Sequence, residues 1–166
     1  MSNDRLRHNS AIQEIPCFLV TMGESTLLLP TTAVAEMVSI KPLEAIAGAP
    51  VWLAGMYDWR NLKVPVISLE VLNGEIEEAV LNVKGRIAVL NSTGVDEAVS
   101  FVAIHTQGIP RMTRVSEQDI VENEEAQRKH FDLLRVKVGL EEFVIPDIPS
   151  LESLYLSYLQ STEAGS

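Results

Sequence analysis

The sequence predicts a mainly β fold with a barrel architecture, on the strength of two observations. First, short runs of β-branched and aromatic residues recur at spacings of roughly 8–12 residues, which gives about nine or ten strands. Second, the strands do not alternate with long helical patterns, so a βαβ arrangement is not indicated. The one extended helical pattern comes at the C-terminal end of the chain.

The first element is a predicted hairpin. Residues 17–22 and 26–29 are apolar runs, and the polar residues Gly23, Glu24 and Ser25 separate them. Both faces of each run are apolar, which is typical of strands buried between layers or inside a closed barrel. The chain after Pro30 then predicts a short helix that reaches Met37, capped by a threonine at position 31 or 32.

The central element is a second hairpin, predicted for residues 51–69. Two apolar runs, residues 51–57 and 62–69, flank the polar segment Asp58–Asn61. Asn61 lies where the chain reverses, and asparagine tolerates the positive φ that tight turns need. Pro65 cannot donate a ladder hydrogen bond, so its strand lies at a sheet edge, or its missing N–H faces away from a partner strand.

The remaining elements follow from the same patterns. A single helical turn is predicted for residues 70–74, and residues 117–129 form a loop or short helix. Ser150 is the expected cap of a final amphipathic helix. Its apolar stripe consists of Leu151, Leu154, Tyr155, Tyr158 and Leu159. Further strands are predicted at residues 86–91, 98–106, 111–115, 131–138 and 143–145.

These boundaries predict one domain, residues 15–160, between disordered tails at residues 1–14 and 161–166. The net charge is −10, from 23 acidic and 13 basic residues, and no basic cluster is larger than Arg128-Lys129. Nucleic acid is therefore not expected as a partner. Membrane insertion is not expected either, because the run at residues 45–57, which lacks charged residues, falls short of the ~18 residues that a spanning helix needs. The N-terminus shows no signal peptide, and the single cysteine, Cys17, is typical of a reducing cytoplasm.

No residue pattern indicates catalysis, a metal site or a cofactor. His130 and Asp132 would share a face of a strand, but no nucleophile or metal ligand accompanies them. His105 lies at a strand end, where a half-buried histidine is the ordinary interpretation. Cys17 sits in an apolar run, where a cysteine behaves as a small hydrophobic side chain.

Trp59 and Arg60 at the central hairpin allow two interpretations. Trp59 can fold back into the core beside a solvated Arg60, or the two can form a contact surface. Tryptophan and arginine are among the residue types most enriched at binding hot spots. The sequence leaves both possibilities open.

The central hairpin resembles the signature of CheW-like coupling domains, a Gly followed by Asn-Leu-Arg-Gly and then by Pro-Val and Asp-Leu. The matching positions are Gly55, Arg60, Pro65, Val66 and Leu69. The departures from the signature are Asp58, Trp59, Asn61 and Ser68. Val34 and Glu36 match a further Val-x-Glu landmark of the family. The chain therefore resembles a divergent member of this family.

The resemblance implies a fold of two small SH3-like five-stranded barrels side by side, with short helices. It also implies a non-enzymatic adaptor that couples chemoreceptor cytoplasmic tips to the regulatory domain of a CheA-type histidine kinase. Pilus-based motility is one candidate output. The implied partner-binding residues are Val34, Glu36, Asp58, Trp59, Arg60 and Asn61. Two alternatives remain open: an enzyme or small-ligand module on a double-barrel scaffold, and a scaffold that binds only a kinase.

Overall fold

Eleven strands form two separate sheets in the computed structural model, which describes residues 13–164. The first sheet, barrel 1, has six strands in the order β8-β1-β2-β11-β10-β9. These are β1 (Glu14–Thr21), β2 (Thr26–Pro30), β8 (Arg111–Ser116), β9 (Ile120–Glu122), β10 (Asp132–Val138) and β11 (Glu141–Pro146). A short 3₁₀ turn, Glu117–Asp119, connects the two edge strands β8 and β9.

The second sheet, barrel 2, has five strands in the order β3-β6-β7-β5-β4. These are β3 (Val34–Ser39), β4 (Leu53–Trp59), β5 (Leu62–Ile67), β6 (Arg86–Asn91) and β7 (Phe101–His105). Each sheet contains one parallel pair, β2 with β11 and β5 with β7, and the other pairs are antiparallel. The mainly β, two-barrel prediction is confirmed, with one more strand in barrel 1 than expected.

The chain passes from barrel 1 to barrel 2 and back again. The N-terminal hairpin β1–β2 belongs to barrel 1 together with β8–β11, while β3–β7 form barrel 2. A one-turn helix, α1 (Leu69–Leu72), follows β5, and the C-terminal helix α2 spans Ile148–Ala164. Barrel 1 therefore closes only after the last strands of the chain are in place.

Three apolar clusters explain why the strands are apolar on both faces. One cluster fills barrel 1, a second fills barrel 2, and a third lies between the barrels beneath α2. In β2, Leu28 points into barrel 1, while Leu27 and Leu29 point into the cluster between the barrels. Side chains alternate between the faces of a strand, so each strand at this boundary serves two cores.

Helix α2 covers the cluster between the barrels with the predicted stripe. Leu151 and Tyr155 are buried there, and Leu154, Tyr158 and Leu159 pack against the same cluster. The predicted cap was wrong: Asp147 accepts hydrogen bonds from the Ser150 N–H, at 3.2 Å, and from the Ser150 hydroxyl, at 2.7 Å. Aspartate is as good an N-cap as serine, and it stands where the chain enters the helix.

Two other predictions of local structure need correction. The segment after Pro30 forms only a 3₁₀ turn, Thr31–Ala33, and then enters strand β3. Pairing of β3 with β6 along its length outweighs the local helical pattern. The disordered tail predicted from residue 161 is also wrong as far as Ala164, because α2 continues to that residue. Most of the predicted N-terminal tail lies outside the described residues.

Pro65 lies in β5, which is not an edge strand. Of the two alternatives that the sequence left open, the missing N–H of Pro65 therefore faces away from a partner strand. Strand β5 pairs with β4 on one side and with β7 on the other, and the β7 pairing includes only Val66 and Ile67. The pairing with β7 therefore begins just after Pro65, where no donor is required.

Candidate functional site

The hairpin β4–β5 turns through two residues, Arg60 and Asn61. Their φ angles are 49° and 64°, and Trp59 pairs with Leu62 across the turn. Two central residues with positive φ define the type I′ turn, whose twist matches the twist of the flanking strands. The reversal is thus tighter than predicted, and Asp58 and Trp59 belong to strand β4 rather than to a loop.

Side chains, rather than a backbone ladder, bring together the edge strands β3 and β4 of barrel 2. The Trp59 indole Nε1 donates a hydrogen bond of 2.8 Å to Glu36 Oε1. The Tyr57 hydroxyl donates one of 2.9 Å to the Ser39 carbonyl oxygen. The loop after β3 adds a short backbone bridge between Glu44 and Met56. These contacts close the barrel where the two strands do not pair directly.

Trp59 belongs to the core of barrel 2, so the interpretation of an exposed ring at a hairpin tip is wrong. Only 7% of the residue is exposed, and the ring packs edge-on against Phe101 with centroids 4.8 Å apart. Alternation along β4 puts Tyr57 and Trp59 on the inner face and Asp58 on the outer face. The indole N–H reaches the rim because Glu36 offers it an acceptor there.

Arg60 is the exposed member of the site. Its Nη2 lies 3.1 Å from Glu36 Oε1, and its guanidinium carbon lies 4.8 Å from the centroid of the Trp59 ring. The Arg60 side chain is nevertheless 68% exposed. One edge of the guanidinium is thus held by the barrel, while its other N–H groups have no partner among residues 13–164. An arginine fork with free donors can bind a carboxylate of another molecule.

Further charged residues surround this ion pair on the outer face. Lys63 bridges Asp58, at 2.5 Å, and Glu44, at 2.8 Å. Lys41 donates to the Asp58 carbonyl oxygen at 2.7 Å and lies over the Tyr57 ring. The hydrogen bond from Lys63 lowers the pKa of Asp58, and the carboxylates raise the pKa of Lys63. Asp58 and Lys63 therefore both stay charged at neutral pH.

The structure brings together five of the six predicted partner-binding residues. Glu36, Asp58, Trp59, Arg60 and Asn61 surround the closure of barrel 2. Val34 does not join them: a bulge between positions 34 and 36 turns it toward the cluster between the barrels, where it is half-buried.

Three charged residues of this site, Lys41, Glu44 and Lys63, were not predicted from the sequence. A two-residue turn at positions 60 and 61 fixes the register that places Asp58 opposite Lys63. That pair was therefore detectable from the sequence. The contacts of Lys41 and Glu44 depend on how the irregular loop after β3 folds back, and no local pattern encodes that path.

The residues considered for catalysis do not assemble into a reactive site. The Asp132 carboxylate is buried and accepts hydrogen bonds from Arg135 Nε, at 3.0 Å, and from the Lys129 N–H, at 2.8 Å. His130 is exposed in the preceding turn. Burial raises the pKa of the Cys17 thiol, which disfavours the reactive thiolate. Among residues 13–164, no cluster of three metal-ligating side chains occurs.

No helix within the described part of the chain has the length and apolar character needed to span a bilayer. A depression in barrel 1 has a volume of about 190 Å³ and is lined partly by Asn123, Arg135 and Phe143. Two larger depressions, of about 570 Å³ beside residues 121–125 and about 390 Å³ beside residues 92–101, are shallow and open to solvent. Small-molecule sites usually enclose about 300 Å³ or more.

Comparison with known proteins agrees with this architecture. A family model described as the CheW-like domain matches residues 16–151. Among solved structures, the chain is similar to the scaffolding protein TtCheW from Thermoanaerobacter tengcongensis. The TM-score is 0.67 and the identity 16%, over 81% of this chain and 84% of the other. No curated protein sequence gives a significant match. Because the family model covers most of the sequence, this chain belongs to the family of CheW-like domain proteins.

Proposed function

We propose that this protein is a non-enzymatic adaptor of a bacterial chemosensory array in the cytoplasm. It would join the cytoplasmic tip of a chemoreceptor to the regulatory domain of a CheA-type histidine kinase. Membership of the CheW-like family and the likeness to a scaffolding protein support this role. Pilus-based motility is our candidate for the output of the array.

The observation that carries the proposal is that only part of the Arg60 guanidinium is bonded within the chain. The guanidinium is oriented by Glu36 and by the Trp59 ring, yet it keeps free donors and is mostly exposed. Trp59 is buried in the core of barrel 2, so the ring against which the Arg60 guanidinium packs is fixed in position. Pre-ordering a long side chain lowers the entropy lost when a partner binds it.

The backbone at Arg60 gives independent support. Its φ of 49° lies in the left-handed region, where glycine, asparagine and aspartate are the usual residues of a type I′ turn. An arginine there carries a backbone strain of roughly 1 kcal/mol. Such strain is tolerated more readily where the side chain has a role in binding.

The experiment measures binding to receptor cytoplasmic hairpins and to kinase regulatory domains in separate titrations. Arg60→Glu removes the fork and places a negative charge beside Glu36. We expect it to weaken binding to at least one partner by ~2–5 kcal/mol, roughly 30-fold or more. Arg60→Lys should recover only part of the loss, because an ammonium cannot form a bidentate contact.

Lys137→Glu is the matched control, because it makes the same change of charge on barrel 1. Lys137 is exposed and has no ion pair among the described residues. Full affinity for both partners in Arg60→Glu would contradict a docking role for this hairpin. Binding of wild-type protein to the kinase alone would favour the alternative of a scaffold that never contacts a receptor.

A further inference from the structure

A second group of polar side chains lies at the junction of the two barrels, away from the proposed docking hairpin. Its centre is Glu70, which is only 4% exposed and lies in α1, the helical turn after strand β5 of barrel 2. Glu70 Oε2 accepts a hydrogen bond of 2.9 Å from the N–H of Gly23, in the β1–β2 turn of barrel 1. Glu70 Oε1 accepts one of 2.8 Å from Gln107 Nε2. The carboxylate is therefore shared between the two barrels.

Two details show that this contact is built into the fold. A side chain at position 23 would collide with Glu70 Oε2, so the carboxylate would have to move away from its present position beside the turn. The backbone N–H of Gln107 donates to the Thr21 carbonyl oxygen at 2.9 Å, which fixes the other donor to barrel 1 as well.

His105 is enclosed beside this carboxylate and has no hydrogen bond of its own. It is 1% exposed, its Nε2 lies 3.5 Å from Glu70 Oε1, and neither ring nitrogen has a hydrogen-bond partner among the described residues. A neutral imidazole carries one N–H donor and one acceptor nitrogen. Among these residues neither nitrogen has a well-formed hydrogen bond, and the Val80 backbone only lies nearby, so the closed junction gives the neutral ring little stabilisation.

The junction is a worse environment for the charged form. Burial lowers the pKa of His105, and the attraction of Glu70 and the nearby Val80 backbone offset this only in part. Glu75 and Glu24 also lie at the junction, but both contact Lys129, at 3.0 and 2.6 Å. On the neighbouring strand β6, the Arg86 guanidinium is bonded to the Gly85 carbonyl oxygen.

We propose that the Glu70 carboxylate, through its hydrogen bonds to Gly23 and Gln107, is a clasp that joins the two barrels, and that proton uptake by His105 opens it. At neutral pH the ring is uncharged and the clasp is closed. As the pH falls below about 6.5, the ring gains a proton more readily where water can reach it. Protonation therefore favours a state in which the barrels separate locally and the hydrogen bonds to Glu70 break. This device is independent of the proposed adaptor role.

The test is amide hydrogen exchange at pH 7.5 and 5.5, corrected for the intrinsic effect of pH on exchange. The reporters are the backbone N–H groups of Gly23 and Gln107, and amides of β6 serve as the internal reference. We expect protection at both reporters to fall several-fold at pH 5.5, by no more than roughly tenfold per pH unit for one proton. The β6 amides, which exchange through global unfolding, should remain more protected than both reporters at either pH.

Variants assign the effect to His105. His105→Gln should abolish the pH dependence, whereas the control His130→Gln should retain it. Gly23→Ala should lower the protection of the Gln107 amide already at pH 7.5, because it displaces the carboxylate. Should a His105 variant not fold, an NMR titration of the wild-type ring replaces it, and its midpoint must coincide with the loss of protection. Equal protection of the wild type at both pH values, or unchanged pH dependence in His105→Gln, would overturn the proposal.

Discussion

Two glutamates join separate parts of this fold, and they do so in opposite environments. Glu36 joins β3 to the β4–β5 hairpin at the surface, with a side chain that is 42% exposed. Glu70 joins barrel 2 to barrel 1 from a buried position. Glu36 accepts hydrogen bonds from a guanidinium and an indole N–H. Glu70 accepts them from a side-chain amide and a backbone N–H.

The difference shows how solvent exposure decides the use of a carboxylate. An exposed ion pair contributes little to stability, so Glu36 and Arg60 remain available to exchange partners. A buried carboxylate is costly to leave unpaired, so Glu70 is enclosed by hydrogen-bond donors while the two barrels are in contact. We therefore expect changes around Glu36 to affect binding and changes around Glu70 to affect stability. Trp59 is the exception, because it lies in the core and supports the surface pair.

The largest expected effect tests that exception. Trp59→Ala removes a buried ring from barrel 2 and should lower the free energy of unfolding by ~3–5 kcal/mol. Urea denaturation at pH 7.5 measures the loss. Trp59→Phe keeps most of the ring but not the N–H to Glu36, so it should be much milder. A loss below ~1 kcal/mol in Trp59→Ala would mean that the indole does not close the barrel.

The next prediction compares the two glutamates directly. Glu70→Ala leaves the Gly23 N–H and the Gln107 amide without acceptors in a buried site, which should cost ~1.5–3 kcal/mol. Glu36→Ala should cost at most ~1 kcal/mol, because water can replace the carboxylate at the rim. The same denaturation experiment ranks the two variants. Equal losses, or the reverse order, would contradict our distinction between the sites.

The pH dependence of stability gives a smaller effect with a defined sign. The pKa of His105 is lowered in the folded state, so the unfolded chain binds more protons as the pH falls below about 6.5. His105 thus favours unfolding progressively below that pH, with a slope of at most ~1.4 kcal/mol per pH unit. The difference between wild type and His105→Gln, measured from pH 7.5 to 5.5, isolates this contribution. A constant difference would show that His105 keeps its ordinary pKa.

The smallest expected effect separates stability from binding at the hairpin. Arg60→Asn replaces a strained residue by one that favours positive φ, which should raise stability by ~0.5–1 kcal/mol. The same change removes the guanidinium and should weaken partner binding. Thermal unfolding of Arg60→Asn measures the change in stability, and titration of the same sample with the partner measures the change in binding. Loss of stability would mean that the Glu36 ion pair outweighs the strain of the turn.

Local sequence patterns determined the main elements of this protein. The alternation of apolar runs fixed the hairpin at residues 51–69, and Asn61 marked its turn because asparagine tolerates positive φ. The period of the C-terminal stripe fixed the face of α2 that packs on the cluster between the barrels. Such features depend on neighbours within a few positions, which is why they can be read from the sequence.

Only the tertiary structure decided how these elements are used. The burial of Trp59 depends on Glu36, 23 positions earlier in the chain, and on Phe101 in a later strand. The burial of His105 against Glu70 depends on the packing of one barrel on the other. The segment after Pro30 became a strand because β6 was there to pair with it. These outcomes rest on contacts between distant residues, and a local pattern cannot encode which distant surfaces will meet.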